Sequence, residues 1–250
     1  MISSMAMREL HFRYAGTAAG LIWSVVNPLV MIAVYWFVFS VGLKVRPMGD
    51  MPFILVFMCG YAPWSFFLEA VTGSTNSITG NAHLVKKTVF PTEVLPLVQM
   101  GSAIPTHVVM LLALTVMMAI NGVPFSFYNL QFIYYFIASM VFTLGLSWLV
   151  AAANVIFRDM GQIMGVIINI WFWLTPIVWP EHMIPERYAF LLKANPVYYV
   201  VAGYRSSFLT HEFIFNDPAW SFYFWAVAIA MFVFGGVVFK RLKPVFPDVM

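Results

Sequence analysis

LIWSVVNPLVMIAVYWFVFSVGL, the stretch Leu21–Leu43, contains no charged residue. The hydrocarbon core of a bilayer is about 30 Å thick, and a helix crosses it with about 20 residues. This stretch is therefore predicted to span a membrane as one helix. Because it is longer than the roughly 7–15-residue apolar core of a cleavable signal peptide, we expect it to be retained.

Five further apolar stretches are long enough to do the same. The composition agrees, since 62% of the residues are hydrophobic and 9% are charged, against roughly 25% charged in an ordinary soluble domain. Lipid must therefore be the solvent for most of the surface. The sequence predicts an all-α integral membrane protein with six transmembrane helices, at Leu21–Leu43, Met51–Gly73, Leu97–Ile120, Leu130–Ile156, Met160–Trp179 and Trp220–Phe239.

The apolar stretch Tyr188–Leu209 is predicted not to be a span. Lys193 and Arg205 interrupt it, and the Asn195–Pro196 step breaks it in the middle. Backbone that is not one continuous helix persists at membrane depth only when it is buried in protein or lines a cavity. We therefore expect residues 180–218, which follow the fifth span, to contain two short re-entrant helices on the outer face.

The charged residues orient the six spans. With both termini in the cytoplasm, eight Lys and Arg residues fall on the inner side and five on the outer side. This matches the excess of positive charge that cytoplasmic loops carry. A seventh span would move Lys240, Arg241 and Lys243 to the outside, which the same rule disfavours.

Two segments lie on the cytoplasmic side. Residues 1–20 mix apolar and charged side chains, which predicts an amphipathic helix in the membrane interface with its apolar side toward lipid; a frayed tail is the alternative. Residues 74–96 form the longest polar connection. Its basic pair, Lys86 and Lys87, makes it the best surface for docking a soluble partner. A solvated connector with inside-positive charge is the alternative.

The sequence contains no machinery for catalysis or energy conversion. No glycine precedes a lysine, so the phosphate-binding loop of ATPases is absent. The single cysteine, Cys59, excludes an internal disulfide, and five scattered histidines offer no metal cluster. His107 is expected to be packed or hydrogen-bonded, and Glu69 to be paired structurally rather than to couple ions. We therefore expect no catalytic residue, cofactor or metal in this chain, and motion that a partner drives.

Five motifs follow one another along nearly the whole chain. They are RELHFRYAGTAAGLIWSVVNPL (Arg8–Leu29), HLVKKTVFPTEVLPL (His83–Leu97), FRDMGQIMG with FWLTPIVWP (Phe157–Pro180), NPVYYVVAGYRSSFL (Asn195–Leu209) and LKPVFPDVM (Leu242–Met250). With them the sequence resembles the permease subunits of ABC-2 type transporters that export polysaccharides such as O-antigen, capsule and wall teichoic acid. Glu9 departs from the family pattern, in which many members carry aspartate, and the change is conservative.

The resemblance implies a bacterial inner-membrane protein. It implies a homodimer of this chain with two separate ATP-binding subunits, which hold the ATP and Mg²⁺, and a lipid-linked polysaccharide as substrate, with O-antigen expected first. Membrane lipid is a further partner, and no nucleic acid is expected. Residues 1–20 would lie near the cytoplasmic entrance, and residues 74–96 would hold the helix that couples to the ATPase. The coupling residues are then His83, Leu84, Lys86, Lys87, Phe90, Pro91 and Glu93.

Four aromatic residues are candidates for lining a channel. Aromatic rings stack on the apolar faces of sugars without demanding a fixed register, so a polysaccharide can slide past them. Tyr35 and Trp36 in the first span, and Trp171 and Trp173 in the fifth, are placed for this role. Aromatic belts at the two membrane interfaces are the alternative.

Four charged residues are assigned to the inner membrane interface. Arg8 and Arg13 are candidates for gripping a lipid-pyrophosphate head group, because arginine binds phosphate with two parallel hydrogen bonds. Anchoring to anionic lipid is the alternative for both. Arg158 and Asp159 are expected to pair in the tight inner turn between the fourth and fifth spans.

Three other classes of function are weighed against this one. An ABC-2 exporter of a small lipid or drug would need a compact, closed cavity rather than a tunnel. An ion-coupled secondary transporter would need inverted repeats and ionisable groups in mid-membrane, which the sequence does not display. A membrane glycosyl-transfer enzyme would need paired carboxylates in a polar loop, whereas Glu181, Glu186, Glu212 and Asp217 are scattered.

Overall fold

The computed structural model describes residues 2–44, 51–87, 90–213 and 216–249. Within these ranges the chain forms helices and turns and contains no extended strand, so the predicted all-α class is confirmed. The helices are α1 (Ile2–Arg13), α2 (Trp23–Trp36), α3 (Phe53–Thr75), α4 (Ala82–Lys87), α5 (Val94–Ile120), α6 (Phe132–Ile156), α7 (Met160–Leu174), α8 (Ala189–Ala194), α9 (Pro196–Arg205), α10 (Pro218–Leu242) and α11 (Phe246–Val249).

Five helical segments in the described ranges are long and apolar enough to cross a membrane. They fall on five of the six predicted spans, so the prediction of a multi-pass membrane protein is confirmed. The segments are Gly20–Gly42, which contains α2, then Phe53–Thr75, Val94–Ile120, Phe127–Ile156 and Pro218–Val245.

α7 is shorter than the fifth span that the sequence predicts. The prediction runs over Met160–Trp179, whereas α7 ends at Leu174 after 15 residues. Thr175 is extended, with φ −96° and ψ 129°. The cause is Pro176, because the residue before a proline is disfavoured in the α conformation. At 1.5 Å per residue α7 is about 22 Å long, which is less than the thickness of the hydrocarbon core.

α3 lies at the centre of the bundle and α2 at its edge. Phe57, Trp64 and Phe67 of α3 are buried where it packs against α5, α6, α7 and α9. In the most apolar part of Phe53–Thr75, 83% of the residues are buried inside the protein, whereas in that of Gly20–Gly42, which contains α2, 11% are buried. The uncovered face of α2 is apolar, so lipid or another protein chain must cover it.

α6 and α10 cross in close contact at two glycines. A Cβ added to Gly235 would lie 1.9 Å from the carbonyl oxygen of Gly145, and one added to Gly145 would lie 2.5 Å from the Cα of Phe232. No side chain larger than hydrogen therefore fits at either position. Small residues at a crossing allow membrane helices to associate through van der Waals packing, where lipid removes the hydrophobic driving force.

The break predicted within Tyr188–Leu209 occurs at Asn195, where α8 ends and α9 begins. The side-chain oxygen of Asn195 accepts a hydrogen bond from the N–H of Val197 at 3.0 Å and caps α9. Pro196 takes the first helical position, where its missing N–H leaves no bond unmade. The same pair of residues thus ends one helix and starts the next.

Candidate functional site

α4 occupies the middle of the predicted coupling loop. His83 and Lys86 are exposed, and Leu84 is half-buried. Val85 is 9% exposed and turns into the protein. The side chain of Lys87 lies outside the described part of the structure. A short helix that buries one apolar residue and exposes polar ones provides a surface on which a soluble protein can dock.

Phe90, Pro91 and Glu93 lead from this loop into α5. Phe90 and Pro91 are half-buried. The carboxylate of Glu93 accepts a hydrogen bond from Lys243 Nζ at 2.6 Å, and its backbone carbonyl accepts one from the indole N–H of Trp148 at 3.1 Å. Burial alone would raise the pKa of Glu93, but the hydrogen bond and charge of Lys243 outweigh it, so the pKa is lowered. Glu93 is therefore engaged inside its own chain.

The contact between Glu93 and Lys243 was not predicted. The two residues are 150 positions apart. Local patterns such as apolar periodicity or helix caps report on neighbours in sequence, so they carry no information about this pair. The segment that follows α10 is consequently part of the candidate coupling surface.

α1 packs along α5, which differs from the predicted orientation toward lipid. Ala6 and Leu10 are buried, and a Cβ added to Gly101 of α5 would lie 3.1 Å from the Cβ of Ala6. Met7 and Phe12 remain exposed. The apolar residues of α1 are thus divided between a face that packs on the protein and a face that is exposed.

Arg13 fastens the end of α1 to two membrane helices. Its guanidinium forms an ion pair with Glu69 of α3 and donates a hydrogen bond to Ser102 Oγ of α5 at 3.1 Å. Burial lowers the pKa of Arg13. The expectation that Glu69 is paired structurally is confirmed.

A cleft of about 630 Å³ opens beside this ion pair. Glu69 compensates the charge of Arg13, so the polar part of the lining consists of amides and hydroxyls together with the carboxylate of Glu9. The polar residues of the lining include Glu9, Arg13, Glu69, Asn76, Asn81 and Gln99.

The other charged residues that the sequence predicts at the inner interface are exposed. Arg8 is exposed, with its guanidinium carbon 5.9 Å from the ring centre of Phe12. Arg13 lines the cleft beside Glu69, whereas Arg8 is not among the residues that line it. Arg158 and Asp159 are both exposed, and the ion pairs among the described residues do not include one between them.

Of the four aromatic residues predicted to line a channel, two pack against the protein and two are exposed. Tyr35 stacks on a phenylalanine of α3 with ring centroids 4.7 Å apart. Trp171 donates its indole N–H to Asn195 Oδ1 at 2.8 Å. These two rings contact the interior of the protein, whereas Trp36 and Trp173 are 46% and 54% exposed.

Asn195 connects the end of α7 to the break between α8 and α9. Besides the bond from Trp171, its amide donates to Thr175 Oγ1 at 2.9 Å. Arg205 of α9 donates a hydrogen bond to the carbonyl oxygen of Pro176, in the same non-helical segment as Thr175, at 2.6 Å. These bonds hold the non-helical segment after α7 against α9. A cleft of about 820 Å³, lined in part by Arg205, lies next to them.

His107 is a structural residue at the junction of four helices. Its Nδ1 lies 3.1 Å from the carbonyl oxygen of Ala62 in α3, and its Nε2 lies 3.0 Å from the hydroxyl of Tyr204 in α9. Its ring stacks parallel to that of Phe136 in α6 at 4.5 Å. The expectation of a packed, hydrogen-bonded histidine is confirmed. Among the described residues no group of three His, Cys, Asp or Glu side chains is placed to hold a metal.

Comparison with known proteins gives a consistent result. The sequence profile of the family described as ABC-2 type transporter matches residues 2–209. The chain is 31% identical to an O-antigen export system permease protein RfbA of Klebsiella pneumoniae over 97% of this chain and 92% of the relative. It is 28% identical to the RfbA protein of Myxococcus xanthus over 87% and 84%. It is 23% identical to the polysialic acid transport protein KpsM of Escherichia coli over 80% and 78%.

Proposed function

Because this chain belongs to the ABC-2 type transporter family, we propose that it is the membrane-spanning permease subunit of an exporter for a lipid-linked cell-surface polysaccharide, with O-antigen as substrate. The observation that carries the proposal is similarity over 97% of the chain to a permease named for O-antigen export. The absence of a phosphate-binding loop in the sequence supports a separate ATP-binding subunit as the source of energy.

The working unit is a homodimer of this chain with two ATP-binding subunits in the bacterial inner membrane. Both termini face the cytoplasm. α7 together with Thr175–Trp179 provides a sixth crossing, and α8 and α9 re-enter the membrane from the outer side. The uncovered face of α2 supports the second copy, since the segment Gly20–Gly42 has only 11% of the residues in its most apolar part buried and so has room for a further protein neighbour.

The surface around α4 receives the movement of the ATP-binding subunit. The exposed basic side chain of Lys86 supports this role, because it would pair with acidic groups on that subunit. Charge reversal at Lys86 and Lys87 should lower co-purification of the ATP-binding subunit. Lys240→Glu, at an exposed position at the cytoplasmic end of α10, is the matched control. Full co-purification with the reversed pair would contradict the docking role.

The substrate slides past aromatic rings on α2 and α7. The exposure of Trp36 and Trp173 supports their contact with sugar faces. Leucine at both positions should reduce the amount of exported glycan while expression and dimerisation stay unchanged. Phe222→Leu, at a ring that is 78% exposed on α10, is the control. Normal export by the double tryptophan variant would remove these rings from the pathway.

Deletion of the gene tests the whole proposal. Lipid-linked glycan should then accumulate on the cytoplasmic face of the inner membrane, where a membrane-impermeant lectin does not reach it in spheroplasts. The intact gene should restore surface exposure. In liposomes, the permease alone should move no glycan, and the permease with its ATP-binding subunit and ATP should. Export that continues in the deletion strain would refute the assignment.

The same experiment separates the alternatives. Mass spectrometry of the retained glycan distinguishes O-antigen from capsule or teichoic acid, and retention of a small lipid or drug would indicate a different cargo. Ion-coupled transport is disfavoured because Glu69 is paired with Arg13. Transport that survives without ATP but stops when the proton or sodium gradient is dissipated would favour the ion-coupled reading.

A further inference from the structure

The segment Lys243–Val249, which follows α10, folds back onto the cytoplasmic end of the bundle. Phe246 in its middle is 0% exposed. The ring of Phe246 packs edge-on against that of Phe239, with centroids 5.4 Å apart and planes at 83°. A fully buried aromatic residue in a segment this short means that the segment is docked at a fixed place.

α4 depends on this segment for its tertiary contacts. Among the helices that the structure describes, α11 is the main neighbour of α4 outside its own loop. Val85, the buried member of the described side chains of α4, belongs to one apolar cluster with Phe246 and with Val155 of α6. α4 therefore reaches the membrane helices largely through the segment that follows α10.

A charged contact fixes the other end of the coupling loop to the same segment. Lys243 Nζ donates to Glu93 Oε2 at 2.6 Å. Glu93 is the last residue before α5, and its carbonyl is also held by Trp148 of α6. The loop is thus bound near its middle through Val85 and at its end through Glu93, in both cases to Lys243–Val249.

We propose that Lys243–Val249 is a clamp that positions α4 for the ATP-binding subunit and transmits the movement of α4 to α6 and α10. This inference rests on the proposed function, in which α4 is the contact of that subunit. The clamp lies beyond residues 2–209, the part of the chain that the family profile matches. Phe246 and Lys243 act through α4 and are positioning residues.

Hydrogen exchange on the full-length permease alone tests the clamp without the ATP-binding subunit. Phe246→Ala should raise amide exchange in residues 82–95 about tenfold, because α4 loses its main support. Phe246→Leu keeps the apolar bulk and should restore most of the protection. Phe234→Ala, at a ring of α10 that is 56% exposed, should leave the exchange unchanged. Equal exchange in the wild-type and Phe246→Ala proteins would overturn the clamp.

The complex with the ATP-binding subunit tests the consequence for coupling. Phe246→Ala should reduce both the association with the ATP-binding subunit and glycan export. Lys243→Glu should reduce both as well, and adding Glu93→Lys to the same chain should restore them. If Phe246→Ala speeds exchange but association and export stay at wild-type levels, while Lys86→Glu abolishes association, the clamp fails and the proposed function stands. If Lys86→Glu also leaves association intact, the docking role of α4 fails.

Discussion

Alanine at Gly235 tests the crossing of α6 and α10. The added Cβ would lie 1.9 Å from the carbonyl oxygen of Gly145, whereas real Cβ atoms essentially never come closer than 3.0 Å to such an atom. The two backbones must therefore separate by the difference, at least about 1.1 Å. Overpacking of this kind costs about 1–3 kcal/mol. For a chain of this size, the midpoint of thermal unfolding should fall by about 2–12 °C.

Gly236→Ala provides the matched control. The atom nearest to its added Cβ is 3.7 Å away, in Trp148, which is an ordinary contact. Because alanine also favours a helix more than glycine does, the midpoint should stay the same or rise slightly. Tryptophan fluorescence of the detergent-solubilised protein during heating measures both variants. Equal midpoints for the two would refute the close contact between the helices.

The same variant has a consequence for transport. α10 leads directly into Lys243–Val249, so a displacement of α10 from α6 also displaces the support of α4. We expect Gly235→Ala to export less glycan even at temperatures at which it is folded, and Gly236→Ala to export normally. If the Gly235→Ala protein is destabilised but exports glycan normally, the contact between α6 and α10 plays no part in coupling to α4.

Three further substitutions test polar contacts. Glu69→Gln removes the partner charge of Arg13, so amide exchange in α1 should rise, and exchanging the two charges should restore it. Asn195→Ala removes the bonds to α7 and the cap of α9 and should cost about 1–3 kcal/mol in thermal unfolding. Hydrogen bonds from Lys193 and a backbone N–H lower the pKa of Asp217. These bonds stabilise the folded protein fully at pH values above 3.8, the ordinary pKa of aspartate, and the stabilisation is lost as the pH falls through the lowered pKa of Asp217. The stability of the Asp217→Asn protein should therefore lack this dependence on pH.

The membrane helices were predictable because lipid imposes a local rule. A span needs about 20 apolar residues in sequence, and Leu21–Leu43 displays them without reference to the rest of the chain. The break at Asn195 is local for the same reason, since Pro196 restricts its immediate neighbour. The early end of α7 at Leu174 follows from the same rule applied to Pro176, but the apolar residues beyond it extended the predicted span.

The polar contacts of the site were not predictable because they join distant positions. Arg13 and Glu69 are 56 positions apart, and Glu93 and Lys243 are 150 apart. With 13 basic and 10 acidic residues, the sequence allows many such pairs, and only the folded bundle selects among them. The contact between Trp171 and Asn195 was not predictable either. In the sequence, a tryptophan that binds another residue of the chain looks the same as one that is free to contact a ligand.

α1 and α2 follow one another in the chain but differ in how closely the bundle holds them. Arg13 binds α1 to α3 and α5, whereas α2 is little buried. α1 and α2 are joined through Gly16 and Gly20, whose φ angles are 78° and 54° and where an added Cβ would have open space around it. Glycine adopts such angles without steric cost, so these two residues let the chain turn between the packed helix α1 and the little-buried helix α2.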